Sequence, residues 1–329
     1  MRLSCSVLDR RFVISQEFVQ ASQEFVDGER RNKIRRRIAN VLLDKGDDAS
    51  LFVAAEILNS LPIDEEEDAT AALMVKAKLN LRVATIAKSR GSIEKEDELL
   101  TDALSSLEQS GKKWVDYNFT LDLLNAIIKC SFSMGRYEVT SNAINEILKR
   151  GRSLDDKINA YLYDIDKYDP VNEYDEGVKK GVAVLRLYGF DIPTSLSPSK
   201  TVMAKEEVKL QLALRNSYLN LQKLSDQELP LMSVFQLVAR YCLFTNRDTL
   251  SKLICWKGVI YASKRGFDRA FPRLLAMLAT ALVKEGKVKR SIEVGNVCVL
   301  LTQRIIDDRE MYRWVLKRAV FQYHSVCTF

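Results

Sequence analysis

Few side chains of this sequence have the types and spacing that catalysis requires. His324 is the only histidine among the 329 residues, which excludes a site built from several imidazoles. Carboxylates lie close together at Asp155-Asp156, at Asp164 with Asp166, and at Asp307-Asp308, and paired carboxylates can act as general acid and base. Because neighbouring residues of a helix point in different directions, these groups predict helix capping and solvated surface rather than an acid–base pair.

The sequence also lacks the loops that bind nucleotides. No segment matches the phosphate-binding pattern GxxxxGK[ST] or the dinucleotide-binding pattern GxGxxG. We therefore predict that this chain is not an enzyme and has no catalytic, cofactor-binding or metal-binding residue and no cofactor. An enzyme with an unrecognised carboxylate or cysteine site is a minor alternative.

The cysteines are far apart in the chain, and no two have CxxC spacing. Most of them lie among apolar residues, which predicts buried, reduced thiols and a cytoplasmic location. They are Cys5, Cys130, Cys242, Cys255, Cys298 and Cys327. No stretch of about 18 uncharged apolar residues occurs, so no membrane span is predicted.

One basic segment, Arg30–Arg37, contains six Lys or Arg residues, whereas the whole chain has a net charge of only +6. Such a segment can contact phosphates, so a basic helical-repeat protein that binds nucleic acid is the alternative function. We favour the solvated face of a packed helix, because Ile34, Ile38 and Val41 form an apolar stripe through the segment. Trp114, Trp256 and Trp314 are too dispersed to form a base-stacking platform, and core packing is predicted for them.

The elements that carry these residues are predicted to be helices throughout. Only 13 glycines and 6 prolines occur, too few for an all-β fold with its frequent turns. The clearest unit is 114–151, where apolar residues at helical spacing run from Tyr117 to Phe132 and resume from Ala143 to Leu148, around the turn at Gly135. Two amphipathic helices folded against each other are typical of tetratricopeptide-type repeats.

Further breaks between paired helices fall at Gly91, Asn172 and Gly286, without a strict repeat length. The predicted fold is therefore all-α, a superhelical array of antiparallel helix pairs of the TPR-like α-solenoid type. We predict helices in 1–45, TPR-like pairs in 46–193 and further pairs of the same array in 194–329, including an amphipathic segment from Arg309 to Tyr323. The linker with two prolines at 191–200 separates the last two parts.

Several segments, in order, resemble one known region: the degenerate TPR-like array that follows the AAA-type (STAND) ATPase domain in multidomain hybrid kinases. The segments are SLFVAAEILNSLP (50–62), KAKLNLRVATIAKSRGSIEKEDELLTDAL (76–104), Trp114 with Tyr117, GRYEVTSNAINEILKRG (135–151), DDKINAY (155–161), EYDEGVKKGVAVLRLYGFDIP (173–193) and FQYH (321–324). The chain differs from the family where Arg82-Val83-Ala84 replaces the usual Ala-Gly, and in the loose match of Phe12–Leu43 to the end of the ATPase module.

The resemblance implies that this chain is a piece of a larger signalling protein that also contains kinase and ATPase domains. No nucleotide-site or kinase motif of that family is present here, so no catalytic residue is carried over. The expected function is a non-catalytic interaction and regulatory module that couples neighbouring domains or binds protein partners. Nucleic acid is not an expected partner.

Overall fold

A computed structural model describes residues 7–8, 11–12, 28–62, 68–193, 195–221 and 229–305, with side chains left out at both strands, at 213–221 and at 304–305. The fold is all-α, as predicted, apart from two short strands. The described part contains two compact units, residues 1–136 and 137–329. The boundary between the units falls in the turn between the two helices of the predicted 114–151 hairpin. The packing of these two helices on each other therefore stays a prediction. The superhelical array and the domain bounds at 45 and 193 also stay predictions.

The described helices of the first unit are five. They are α1 (Gly28–Lys45), α2 (Asp48–Ser60), α3 (Ala69–Ser89), α4 (Ile93–Gln109) and α5 (Tyr117–Ser133). Each packs on the next helix along the chain. Aspartates begin several of them: the side chain of Asp47 accepts a hydrogen bond from the Ser50 amide at 3.0 Å, and that of Asp116 from the Phe119 amide at 3.3 Å, which satisfies amides that have no partner inside the helix.

The prediction that residues 1–45 form helices, the second from about Gly28, is wrong at the start of this range. Val7–Leu8 (β1) and Arg11–Phe12 (β2) pair as antiparallel strands, with Val7 opposite Phe12. Only two residues separate the strands, and such a link suits a hairpin better than a helix. The second predicted helix, from Gly28, is confirmed as α1.

The apolar stripe predicted on α1 does not face its neighbour. Ile34, Ile38 and Val41 are 45%, 47% and 67% exposed, whereas Ala39 is fully buried. Ala39 shares a face with Arg35 and Arg36, at spacings of four and three residues, and this face meets α2. The small alanine lets the two backbones approach, and the arginines reach the end of α2.

The described helices of the second unit are eight. They are α6 (Tyr137–Arg150), α7 (Leu154–Asp166), α8 (Tyr174–Leu187), α9 (Lys200–Leu221), α10 (Pro230–Phe244), α11 (Asp248–Arg265), α12 (Phe271–Lys284) and α13 (Val288–Ile305). Their packing is not simply sequential. Helix α8 packs on α10, α9 packs on α11, and α10 also contacts α7 and α12.

Two glycines explain how closely α8 and α10 approach. A Cβ at Gly177 would lie 2.6 Å from the ring of Tyr241, and a Cβ at Gly181 would lie 2.2 Å from Cγ2 of Val238. Tyr241 and Val238 are both fully buried. Only glycine fits at this crossing, which forms the centre of the apolar core of the second unit.

Candidate functional site

Three of the carboxylates considered for an acid–base pair, Asp156, Asp164 and Asp166, have structural partners. Asp156 belongs to a capping box at the start of α7, where its Oδ2 accepts hydrogen bonds from the Arg152 and Ser153 amides at 3.0 Å. Asp164 is buried between Lys167 and Lys180, at 2.7 and 2.5 Å. Asp307-Asp308 and His324 lie outside the described residues.

Asp166 is the carboxylate with the most unusual surroundings. Burial raises the pKa of its carboxyl group, and the charge of Arg240 opposes this effect. Arg240 Nη2 lies 3.5 Å from Asp166 and 2.9 Å from Asp169, and the fully buried Tyr241 hydroxyl lies 3.4 Å from Asp166. The arginine is shared between two carboxylates, and the cluster joins the α7–α8 turn to α10.

The described cysteines are unsuited to nucleophilic chemistry. All four are unpaired and buried, and burial raises the pKa of the thiols of Cys130 and Cys298 to about 11 and that of Cys242 to about 12. For Cys255, fully enclosed, the pKa is raised further. A thiolate is needed for nucleophilic attack or metal binding, and no cluster of metal-ligating side chains occurs among the described residues.

Two arginines of the basic helix α1 donate hydrogen bonds to the residues at the end of α2. Arg35 Nη2 donates a hydrogen bond to Ser60 Oγ at 2.8 Å, and Arg36 donates to the Pro62 carbonyl. Both groups lie at the C-terminal end of α2, where positive charge is favourable. This contact gives part of the basic segment a structural role.

Two motif residues that the sequence analysis left without a role form a polar network inside the first unit. Asn59 and Asn80 exchange two hydrogen bonds, of 3.0 and 2.9 Å, and Asn59 also donates to Asp102 at 2.8 Å. Asn80 is fully buried. The network joins α2, α3 and α4. Its only sign in the sequence was the asparagine that follows a leucine in each of the motifs ILN and KLN.

A partly open cavity of about 400 Å³ in the second unit has the character of a binding surface. We call it the α9–α13 groove. Its floor is formed by buried side chains of α11 and α12, and its walls by α9 and α13. The floor residues are Trp256, Val259, Leu275, Leu278 and Leu282, and the wall residues include Leu210, Val294, Val297, Leu300 and Leu301.

The groove is apolar within and charged only at its rim. Val297 and Leu300 on α13 are 48% and 60% exposed. At the rim, Arg290 Nη1 pairs with Glu207 of α9 at 2.6 Å. Glu293 also lines the groove and has no ion-pair partner among the described residues. An apolar groove with a nearly neutral rim suits a ligand with a stripe of apolar side chains better than it suits a polyanion.

Buried ion pairs hold the groove floor against α9 and the end of α12. Glu206 on α9 accepts a hydrogen bond from Lys209 at 2.6 Å and lies 3.3 Å from the buried Lys257 of α11. Burial alone would raise the pKa of Glu206, but the two lysines outweigh it and hold that pKa below its usual value. Lys252 pairs with Glu285, and its ammonium group also lies 5.2 Å from the Trp256 ring centre.

The core packing predicted for Trp256 is confirmed, since its side chain is 5% exposed, and the same side chain lines the groove. Trp114 is half-buried against Tyr117, with ring centres 5.5 Å apart; Trp314 lies outside the described residues. None of the described helices is long and apolar enough to cross a membrane.

Comparison of the chain with protein-family models and with curated proteins finds no match. The resemblance to the TPR-like region of hybrid kinases therefore stays a prediction.

Proposed function

We propose that this chain is a non-catalytic helical module that binds an amphipathic helix in its α9–α13 groove. The helix belongs to a partner protein or to a neighbouring domain of a longer parent chain, as in the signalling ATPase–kinases that the sequence resembles. The observation that carries the proposal is the apolar floor of the groove, which stays open between two helices although its rim is charged. Helix-in-groove recognition needs such a trough and apolar residues at helical spacing in the ligand.

The chemistry of the rim narrows the choice of partner. Glu207 pairs with Arg290, and Lys287, which also lines the groove, pairs with Glu285 at 3.1 Å. Among the described lining residues, Glu293 is therefore the charge left to attract a basic side chain. Apolar contact then supplies most of the affinity, and binding should change little with salt. A nucleic-acid ligand would instead lose affinity steeply as salt rises, because phosphate contacts release counterions. The buried unpaired thiols support a reducing, cytoplasmic setting.

The test uses a labelled synthetic peptide of about 20 residues with leucines at i, i+3, i+4 and i+7. A peptide of the same composition with the leucine spacing scrambled is its control, and fluorescence anisotropy reports binding to the full chain. We expect the spaced peptide to bind and the scrambled peptide to bind at least about tenfold more weakly, a difference of 1.4 kcal/mol.

Two matched variants locate the binding. Val297→Glu places a charge in the groove wall, whereas Val299→Glu places it on the same helix at a residue that does not line the groove. Both valines are exposed, at 48% and 37%, so neither change should unfold the chain. We expect Val297→Glu alone to weaken binding, by about tenfold or more. Equal affinity for both peptides, or for the wild-type and Val297→Glu chains, would contradict the proposal.

A further inference from the structure

We infer that one exposed side of helix α1 docks the chain on an anionic membrane surface, with the helix lying in the plane of the lipid head groups. The inference concerns the first unit alone and does not depend on the α9–α13 groove. Its starting point is the basic segment 30–37, in which the contacts with the end of α2 explain only Arg35 and Arg36. The amphipathic segment from Arg309 to Tyr323 lies outside the described residues and has no part in it.

One side of α1 combines basic and apolar residues and contains no acidic residue. At about 100° per residue, this side covers an arc of about 120° around the helix axis. We call it the α1 face. Its members are Arg30, Arg31, Ile34, Arg37, Ile38, Val41 and Lys45. The two acidic residues of the helix, Glu29 and Asp44, fall outside the arc.

The α1 face is turned away from the helix on which α1 packs. Ala39, which is fully buried, lies on the opposite side of α1, and that side meets α2. Every member of the α1 face is exposed, and its three apolar residues are each at least 45% exposed. Neighbouring apolar side chains that stay exposed on a folded protein indicate an interaction surface.

The arginines of the α1 face are free to meet an anionic ligand. Arg30, Arg31 and Arg37 have no ion-pair partner within the part of the chain that the structure describes, whereas Lys45 pairs with Asp47 at 3.2 Å. Arg30 and Arg37 border the apolar stripe on one side, and Arg31 borders it on the other. A ligand of the α1 face must therefore offer negative charge on both sides of an apolar contact.

An anionic bilayer offers both of these together. Helices with basic residues beside an apolar stripe bind in the boundary between lipid head groups and acyl chains. There the long arginine side chains reach the lipid phosphates while Ile34 and Ile38 enter the acyl region. A nucleic acid would satisfy the arginines but would leave the isoleucines in water. The α1 face extends from Arg30 to Lys45, about 22 Å at 1.5 Å per residue, and one side of a helix is convex, which suits a soft surface better than the groove-bound mode of helix recognition.

Co-sedimentation of the full chain with lipid vesicles tests the inference. We expect vesicles with about one-third phosphatidylserine to bind the chain at least about tenfold more tightly than vesicles of phosphatidylcholine alone. Salt should weaken this binding, because it screens charges at the surface. Equal binding to both kinds of vesicle would overturn the inference. Tighter binding to duplex DNA than to the phosphatidylserine vesicles would also overturn it and would indicate a nucleic-acid partner.

Matched charge variants locate the binding on the α1 face. Each basic residue near an anionic bilayer strengthens binding about fivefold, so the triple variant Arg30→Gln, Arg31→Gln, Arg37→Gln should lose about 100-fold. The control variant changes three exposed residues of other helices: Arg82→Gln, Lys149→Gln and Arg150→Gln. It lowers the net charge equally but should weaken binding by less than about fivefold. Equal losses in the two variants would show that net charge alone attracts the vesicles, and would overturn the inference.

A second pair of variants tests the apolar part of the contact. Ile34→Ser with Ile38→Ser should weaken binding to phosphatidylserine vesicles by about tenfold, because these side chains no longer gain from leaving water. Val53→Ser with Val75→Ser, at exposed residues of α2 and α3, should leave binding unchanged. All four residues are exposed, so neither change should unfold the chain. Wild-type affinity in the Ile34→Ser, Ile38→Ser chain would show that the stripe does not enter the bilayer and would contradict docking through the α1 face.

Discussion

Glu206→Gln removes the negative charge from the ion pair that joins α9 to α11 beside the groove. The side chains of Glu206 and Lys257 are only 5% and 6% exposed, and their charged atoms lie 3.3 Å apart. Breaking a buried pair costs about 3–5 kcal/mol, because the remaining charge is left buried without a partner. Lys209 also contacts Glu206, but it is 48% exposed, so its lost contact adds at most about 1 kcal/mol.

We therefore expect Glu206→Gln to lower the free energy of unfolding of the second unit by about 3 kcal/mol. For a unit of this size, that corresponds to a fall of about 6–12 °C in melting midpoint. Urea unfolding followed by tryptophan fluorescence measures the change, since Trp256 is buried next to Lys257. Lys209→Met is the control and should cost less than about 1 kcal/mol.

The double variant Glu206→Leu with Lys257→Met tests whether the unpaired charge causes the loss of stability. Replacing both charges by apolar side chains leaves no unpaired charge, so most of the lost stability should return. A Glu206→Gln chain within about 1 kcal/mol of wild type, or a double variant no more stable than the single one, would refute the buried-pair argument.

Three further predictions concern other parts of the structure. Gly181→Ala should destabilise the second unit by about 1–3 kcal/mol in urea unfolding, because the new Cβ would lie 2.2 Å from the stiff side chain of Val238; Gly28→Ala, with nothing within 4 Å, should change little. Asn80→Ala should cost the first unit about 1–3 kcal/mol, since it leaves the amide of Asn59 without its buried partner, and an unchanged urea midpoint would contradict this. The lowered pKa of Glu206 stabilises the fold at pH values above the ordinary pKa of 4.5, and this contribution disappears as the pH falls through the lowered pKa. The difference in melting midpoint between wild type and Glu206→Gln should therefore narrow as the pH falls below 4.5, and a constant difference would show that the carboxylate charge does not cause it.

The helices themselves could be predicted from the sequence because their signals are local. Apolar residues at helical spacing, with glycines and prolines at the ends, mark helices in the sequence, and Pro230 stands at the start of α10. Proline at the first turn of a helix is a strong start signal. Gly135, with φ of 73°, ends α5 in the left-handed conformation that its position predicts.

What the sequence did not reveal depends on contacts between distant residues. Spacing shows that α1 has an apolar stripe, but it does not show that α2 instead meets the face with Ala39. The packing of α9 on α11, rather than on its neighbour α8, likewise involves the pairing of Glu206 with Lys257, and the packing of α8 on α10 involves the close approach at Gly181. The groove arises from this non-sequential packing, so no single segment of the sequence could have indicated it.

Hydrogen–deuterium exchange of the full chain with and without the spaced leucine peptide tests the central claim most directly, because it reports where a helix binds. We predict slower exchange in α12 and α13, which supply the floor and one wall of the groove, and no change in α1. Slower exchange confined to α1, the helix that carries the basic segment, or unchanged exchange in α12 and α13 at saturating peptide, would contradict the account.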